Sequence, residues 1–328
     1  GEHLGEPGVE VERIETHFAW VFLTPQQVYK LRKPILHRSL DTRSLGARLA
    51  RCNDELHVNR DLAPGIYLDV LRLALGPEGR MMLGGAGPAA GPSIAIVDWI
   101  LHMRRLPAAR MLDRMIGDGS VRTTDIEALS AHLQAFYSRS PALTISGAAH
   151  CQRLGAAIRT NRDELLAARF LGVDAAVVTE IASLQQKWVD VNRTILTRRV
   201  EQGMIRDCHG DLKPEHVCLG PPVSVIDRLE FDAELRMLDP IEDLCFLWLE
   251  CARFGAGWAG EHLVRHYMAA SGAAAPASLI HFYLSNRALT RAKVAVWRLT
   301  EPGADRMRWS GRVADYLRSA LTAIAQAA

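Results

Sequence analysis

His209, Asp211, Lys213 and His216 fall in one short stretch, DCHGDLKPEHVCL (207–219), and a further carboxylate, Asp227, closes the run VSVID downstream. Asp211, in a loop, could accept a proton from a substrate hydroxyl as a general base. Asp227 and the imidazole of His216 could hold a divalent cation against phosphate oxygens. Phosphoryl transfer also needs a cation on the nucleotide phosphates. Lys30 in QVYKLRK is the candidate, sharing a strand face with Val28 and Arg32, opposite Tyr29 and Leu31. Glu55, beside the Cys52/Leu56 face of the next helix, is placed to pair with that lysine. A competing reading makes His209, Asp211, His216 and Asp227 a ligand cluster for metal-dependent hydrolysis. His209 and Asp211 at i and i+2 could share an ion, but the remaining ligands of a two-metal site are not visible.

The elements that must position these residues change character along the chain. VERIETH (11–17), FAWVFLT (18–24) and QVYKLRK (27–33) read as short strands, with Pro25 in the turn between the last two. Leu45, Leu49, Cys52 and Leu56 mark one face of a helix that ends before Pro64-Gly65. Strands IYLDVLRLAL and IAIVDWILHMRRL follow, separated by GGAGPAAGPS. Gly85, Gly87 and Gly91 do not fit G-x-G-x-x-G, and no Lys-Ser/Thr follows, so that piece reads as a flexible hairpin tip rather than a phosphate loop. Beyond Pro107 the spacing predicts helices over 108–117, 123–139, 155–170 and 173–202, then 240–254, 258–270, 276–299 and 305–327. Asp239, Pro240 and Glu242 form a helix start with N-cap, Pro at N1 and an acidic N3. Asp243 lies in a helix apolar nearly all round, so its carboxylate must be satisfied internally.

The chain has 328 residues, 48% apolar and 23% charged, with a formal net charge of +2. That length suits two domains and a real core. The weak charge and the lack of a basic run argue against nucleic acid. The six cysteines form no C-x-x-C pair, which signals neither zinc nor a redox motif and points to buried thiols in a reducing, cytoplasmic setting. No apolar run is long enough for a membrane helix, and GEHLGEPGVEV has no features of a secretory leader.

The stretch HGDLKPEH…IDRLEF resembles the catalytic loop and metal-binding segment of the aminoglycoside phosphotransferase-like family, which has the protein-kinase-like fold. LDPIEDLCFLWLE resembles the helix after that segment. ETHFAWVFLTPQQVYKLRKPI and CNDELHVNRDLAPGIYLDV resemble an uncharacterised bacterial branch. Some members of that branch carry a C-terminal P-loop ATPase domain, which these residues are not expected to contain. The resemblance implies an α+β, bilobal fold: a small antiparallel-sheet N-lobe with one helix (1–106) and a large helical C-lobe (107–328). It implies ATP and Mg2+ or Mn2+ as cofactors and a small-molecule hydroxyl acceptor. Asp211 would be the base, with Lys213 near the transferred group. Asp227 would be a metal ligand, Lys30 the phosphate lysine and Glu55 its partner. Backbone groups near Met103–Leu106, including Met103 and Arg105, would meet adenine. His209 would be structural, and Asp243 would brace the loop from behind.

Two departures stand out. His216 replaces the loop asparagine, which predicts a preference for manganese, since imidazole suits softer metals. ETHFAW stands where a Gly-rich loop is expected, so Thr16 and His17 would substitute for it in part. These departures keep a second class open, a nucleotide-binding pseudokinase or regulatory module. Glu230 and Asp232 read equally as substrate-site or solvated residues, and His102 as a strand residue without a chemical role. Glu230, Asp232, Glu234, Asp239, Glu242 and Glu250 are the carboxylates on offer to a cationic acceptor.

Overall fold

The computed structural model describes residues 10–37, 40–76, 79–85, 95–301 and 303–327. Three strands open the chain, β1 (Glu12–Glu15), β2 (Ala19–Leu23) and β3 (Gln27–Arg32), followed by the short pair β4 (Leu36–His37) and β5 (Leu40–Asp41). Helix α1 (Leu45–Asn59) leads to β6 (Tyr67–Leu75), β7 (Met81–Gly85) and β8 (Ala95–Arg104). Helices α2 (Leu112–Gly117), α3 (Thr123–Arg139), α4 (Gly147–Ala167), α5 (Ala175–Val191) and α6 (Arg193–Glu201) come next. The short strands β9 (Arg206–Asp207), β10 (Val217–Cys218), β11 (Ser224–Val225) and β12 (Met237–Leu238) precede α7 (Pro240–Arg253), α8 (Gly257–Ser271), α9 (Ala277–Leu299) and α10 (Arg306–Gln326). The chain divides into two compact units, Gly1–Met115 with Glu215–Glu234, and Ile116–Pro214 with Leu235–Ala328. The stretch 215–234 thus packs with the N-terminal unit, where a single boundary after residue 106 would place it with the helices.

The first unit is built on an antiparallel sheet of order β1-β2-β3-β8-β6-β7. Strand β7, an edge strand ending in two glycines, has no alternating pattern in sequence and escapes the reading from periodicity. The Gly-rich tip falls mostly outside the described residues. Ser44 caps α1, its hydroxyl accepting the Ala47 N–H at 3.1 Å. Leu49, Cys52 and Leu56 pack against Tyr67, Val70, Trp99 and Leu101, as the apolar spacing predicts. Yet the most buried stripe of α1 is Arg48, Cys52, Glu55 and Asn59, one step round the helix and largely polar. Burying charge is costly unless it is paired, so these side chains need partners from elsewhere in the unit.

The second unit is helical, and the structure corrects three helix boundaries within the chain. The span 108–117 breaks at Met111, whose extended backbone bridges Cys218. Helix α4 starts eight residues before the predicted 155, where Ser146 accepts the Ala149 N–H at 3.1 Å. The long 173–202 helix is two, interrupted at Asn192. Helices α9 and α10, with parts of α4 and α5, share a core that includes Leu165, Ile181, Leu289, Val296, Val313 and Leu317. Helix α8 meets α7 at Gly260, where a Cβ would lie 2.3 Å from the Trp248 Cα, so only glycine permits this approach. Among the described residues no helix is long and apolar enough to cross a membrane, and all six cysteines are buried thiols.

His150 on α4 is fully buried, with Nδ1 3.3 Å from the Arg153 guanidinium. Burial, then the Arg153 charge, lowers its pKa from 6.5 to about 4. Between those values the unfolded chain binds a proton that the folded chain refuses, so stability rises with pH there and is lost as pH falls. The loss on going from neutrality to pH ~5 should be roughly 2 kcal/mol. Urea unfolding of wild type and His150→Gln at both pH values checks this. An equal acid loss in the variant would remove His150 as the cause.

Candidate active site

In the first unit, β3 turns Lys30 and Arg32 to the same face, and both reach Glu55 on α1. The Lys30 ammonium donates to Glu55 Oε1 at 2.8 Å, and the Arg32 guanidinium pairs with Glu55 Oε2. Glu55 is 1% exposed, so the two cations supply what solvent cannot. Lys30 also donates to Asp227 Oδ1 at 3.2 Å, and Arg32 to Glu230 Oε1 at 2.6 Å. The four contacts close a ring through the backbone of residues 227–230. Burial opposes the Lys30 charge, but Asp227 and Glu55 outweigh it, and the ammonium is held charged above its ordinary pKa. Burial, then the Glu55 charge, raises the Glu230 pKa.

The segment carrying Asp227 is fastened at several points. The Asp227 N–H donates to the Tyr67 hydroxyl at 3.0 Å, and the Arg228 N–H to Asn59 Oδ1 at 2.9 Å. Asn59 returns its amide to the Glu55 carbonyl at 2.9 Å. Asp227 has φ +61°, a left-handed conformation that aspartate tolerates better than most residues but that still costs energy. His216 Nε2 lies 3.3 Å from Asp227 Oδ2. Among the described residues no group of three or more His, Cys, Asp or Glu could hold a metal ion. His216 and Asp227 thus offer two donors, which suits an ion that completes its shell with phosphate oxygens and water. They do not make the four-ligand cluster of the hydrolytic reading.

In the second unit, the loop of Asp211 is organised by Asp243 of α7. The carboxylate accepts the His209 N–H at 2.9 Å, the Gly210 N–H at 3.0 Å and the Tyr137 hydroxyl at 2.8 Å. Gly210 has φ +86°, where glycine carries no steric penalty. His209 is fully buried and its Nδ1 accepts the Asp211 N–H at 3.2 Å, which places the ring proton on Nε2. Asp211 Oδ2 is 3.0 Å from the Lys213 ammonium. Asp239 caps α7 as its sequence predicts and also binds Arg199 at 2.7 and 2.9 Å. Glu242 does not close a capping box. It accepts from Asn286 at 3.2 Å and faces Arg287 at 3.1 Å.

The structure brings Lys30, Glu55, Asp227 and His216 together, and separately pairs Asp211 with Lys213. The Thr16 hydroxyl is spent on the β1–β2 turn, exchanging hydrogen bonds of 2.9 Å with Ala19, and the His17 ring meets Phe18 edge-on. Met103 pairs with Val28 and Tyr67 across the sheet. The Arg105 guanidinium binds the Thr24 carbonyl and Glu12. The N–H groups of Arg104 and Arg105 are bonded to the Ile66 and Gln26 carbonyls. Glu230 is an ion-paired residue rather than a solvated one, and His102 stacks on Tyr29 between Asp69 and Gln27. Sequence reasoning missed Arg32, Tyr67 and Asn59. Only Arg32 left a signal, its i+2 spacing from Lys30.

Arg32→Gln leaves Glu55 and Glu230 short of a buried cation and should cost about 3–5 kcal/mol in urea unfolding. Adding Glu55→Gln should cost less than the two single changes sum to. Strict additivity would show that the pair is not coupled.

No protein-family model matches the chain. Uncharacterised proteins of Mycobacterium tuberculosis and Mycobacterium bovis are 30% identical to it over 315 residues, which is 92% of this chain and 58% of theirs. The chain therefore spans little more than half the length of these curated relatives. Among solved structures, a choline kinase from Cryptosporidium parvum superposes with a TM-score of 0.57 at 11% identity, covering 99% of this chain and 92% of that one. A choline/ethanolamine kinase family protein from Mesorhizobium loti gives 0.53 at 16% identity, covering 98% and 94%. At these identities the likeness concerns the fold alone. With its N-terminal antiparallel sheet, one helix and largely helical remainder, the chain has an α+β, kinase-like fold similar to that of choline and ethanolamine kinases.

Proposed function

We propose that the protein is an ATP-dependent phosphotransferase that moves the γ-phosphoryl group to a hydroxyl of a small molecule, in the class of sugars, amino sugars or aminoglycoside-like alcohols. The observation that carries this reading is the buried Lys30–Glu55 pair with Asp227 against the same ammonium, on a kinase-like fold. In this reading Lys30 grips nucleotide phosphates, and Asp227 with His216 would hold Mg2+ or Mn2+. The ion, when bound, would neutralise phosphate charge. Asp211 takes the proton from the acceptor hydroxyl. The new bond joins that oxygen to the γ-phosphorus, the bond from phosphorus to the β-bridging oxygen breaks, and ADP leaves. Lys213, beside Asp211, steadies the transferred group. Asp243 keeps the 209–211 backbone in place, so its role is positional.

A second reading, a nucleotide-binding module without transfer, draws support from His216 in the asparagine position and from the Thr16 hydroxyl being committed to its turn. ATP consumption across a panel of alcohols separates the two. Asp211→Asn should lower turnover by roughly 10²–10⁴-fold while nucleotide binding, read by calorimetry, stays near wild type. ATP binding with no acceptor-dependent ADP release under either metal would favour the second reading.

His216→Asn should shift the metal preference from manganese toward magnesium. Equal rates with the two metals in both proteins would count against His216 as a ligand.

A further inference from the structure

Ser310, Val313, Ala314, Leu317 and Leu321 fall at i, i+3, i+4, i+7 and i+11 along α10, one face of the helix. Val313 and Leu317 sink into the core of the second unit beside Val173 and Leu299, and Leu171, Val177 and Leu321 pack half-buried at its edge. Where this edge meets the start of α5, two positions carry little or no side chain. Ala314 brings only a methyl group. Gly172 has φ +85°, and a Cβ there would meet no atom within 4 Å. A cavity of about 290 Å³ remains between the turn 171–174, the first turn of α5, the end of α9 and the face of α10.

Leu171, Val173, Val177, Leu299, Val313 and Leu317 form its walls. No lining residue is aromatic, and the polar ones, Asp174, Ser310 and Arg318, are all exposed, which puts them at the mouth. Such walls offer no ring to stack on a base and no buried group to hydrogen-bond a sugar. An apolar cavity gives water few partners and takes up apolar molecules instead, and roughly 150 Å³ is enough for benzene. The charges at the mouth are unequal in what they leave over. The Arg318 guanidinium donates to Asp315 at 2.9 Å. Asp174 spends Oδ1 on capping α5, accepting the Ala176 and Val177 N–H groups at 3.0 and 3.1 Å. Among the described residues its Oδ2 has neither a hydrogen bond nor an ion pair. The uncommitted charge at the mouth is therefore negative.

We propose that this cavity is a second ligand site, for an aliphatic amine whose tail lies among the leucines and valines and whose ammonium meets Asp174 Oδ2. None of its lining residues belongs to the candidate active site, and the proposal does not depend on the phosphotransferase reading. Most of the binding energy comes from the tail, at about 0.8 kcal/mol for each methylene taken out of water. The exposed ion pair adds little strength but selects the head group, because a carboxylate head would face the Asp174 charge.

The test is calorimetric binding to the intact chain of butylamine, hexylamine, octylamine, octanol and octanoate. Affinity for the amines should rise about fourfold per methylene. Octylamine should bind about twofold to fivefold tighter than octanol, and octanoate weakest of the three. Asp174→Asn keeps a capping side chain and should bring octylamine down to the level of octanol. Ala314→Phe, at an exposed helix position, and Leu321→Trp, at the rim, should each fill the cavity and abolish binding of octylamine and octanol alike. Urea unfolding of each variant shows whether it is folded, and one folded variant of the two is sufficient. Octanoate or octanol binding as tightly as octylamine, affinity independent of chain length, binding that survives in a folded cavity-filling variant, or no binding of any amine would overturn the proposal.

Discussion

A carboxylate at 1% exposure has lost nearly all its hydration, and Glu55 exists in that state only because two cations meet it. Much of the first unit's organisation follows from that constraint. The cations come from alternate positions of β3, so α1 must lie where its Glu55 can face that strand. The second cation, Arg32, carries a further carboxylate, Glu230. Through it the segment that contains Asp227 is tied to the same helix. Asn59, one turn along α1, repeats the connection with neutral hydrogen bonds. Removing either cation would leave buried carboxylates with charge they cannot hydrate.

Arg32 gives the Lys30–Glu55 pair an unusual independence. In a simple lysine–glutamate pair, a lysine that turns toward a phosphate leaves its carboxylate partly unmatched. Here Glu55 keeps a guanidinium whatever Lys30 does. The ring of Lys30, Arg32, Glu55, Asp227 and Glu230 also carries one more negative than positive formal charge when all are ionised, and burial, with the neighbouring Glu55 charge, raises the Glu230 pKa.

The second unit uses buried carboxylates for a different purpose. Asp243 takes two successive backbone N–H groups and a tyrosine hydroxyl, so it sets the path of the chain into Asp211. Asp239, Glu242 and Glu250 bind α7 to arginines of α6 and α9. A helix that is apolar nearly all round thereby gains fixed polar anchors, and its packing partners are specified by charge as well as by shape.

Local chemistry made some of this legible in advance. The Lys30/Arg32 strand face, the Asp239-Pro240 helix start, the need to satisfy Asp243, and the order of sheet then helices all follow from periodicity, capping and the cost of burying charge. Resemblance supplied the rest of the expected site. What only the tertiary structure decided was which charges meet. Arg32 finds Glu55 and Glu230 at sequence separations of 23 and 198, and no periodic pattern encodes such a choice. The buried polar stripe on α1 is likewise invisible beside its apolar neighbour, because residue type reports the preference for burial while packing decides which side is covered. Four of the carboxylates offered to a cationic substrate, Glu230, Asp239, Glu242 and Glu250, became internal counterions for the same reason: the energy of a buried charge depends on its neighbours in space.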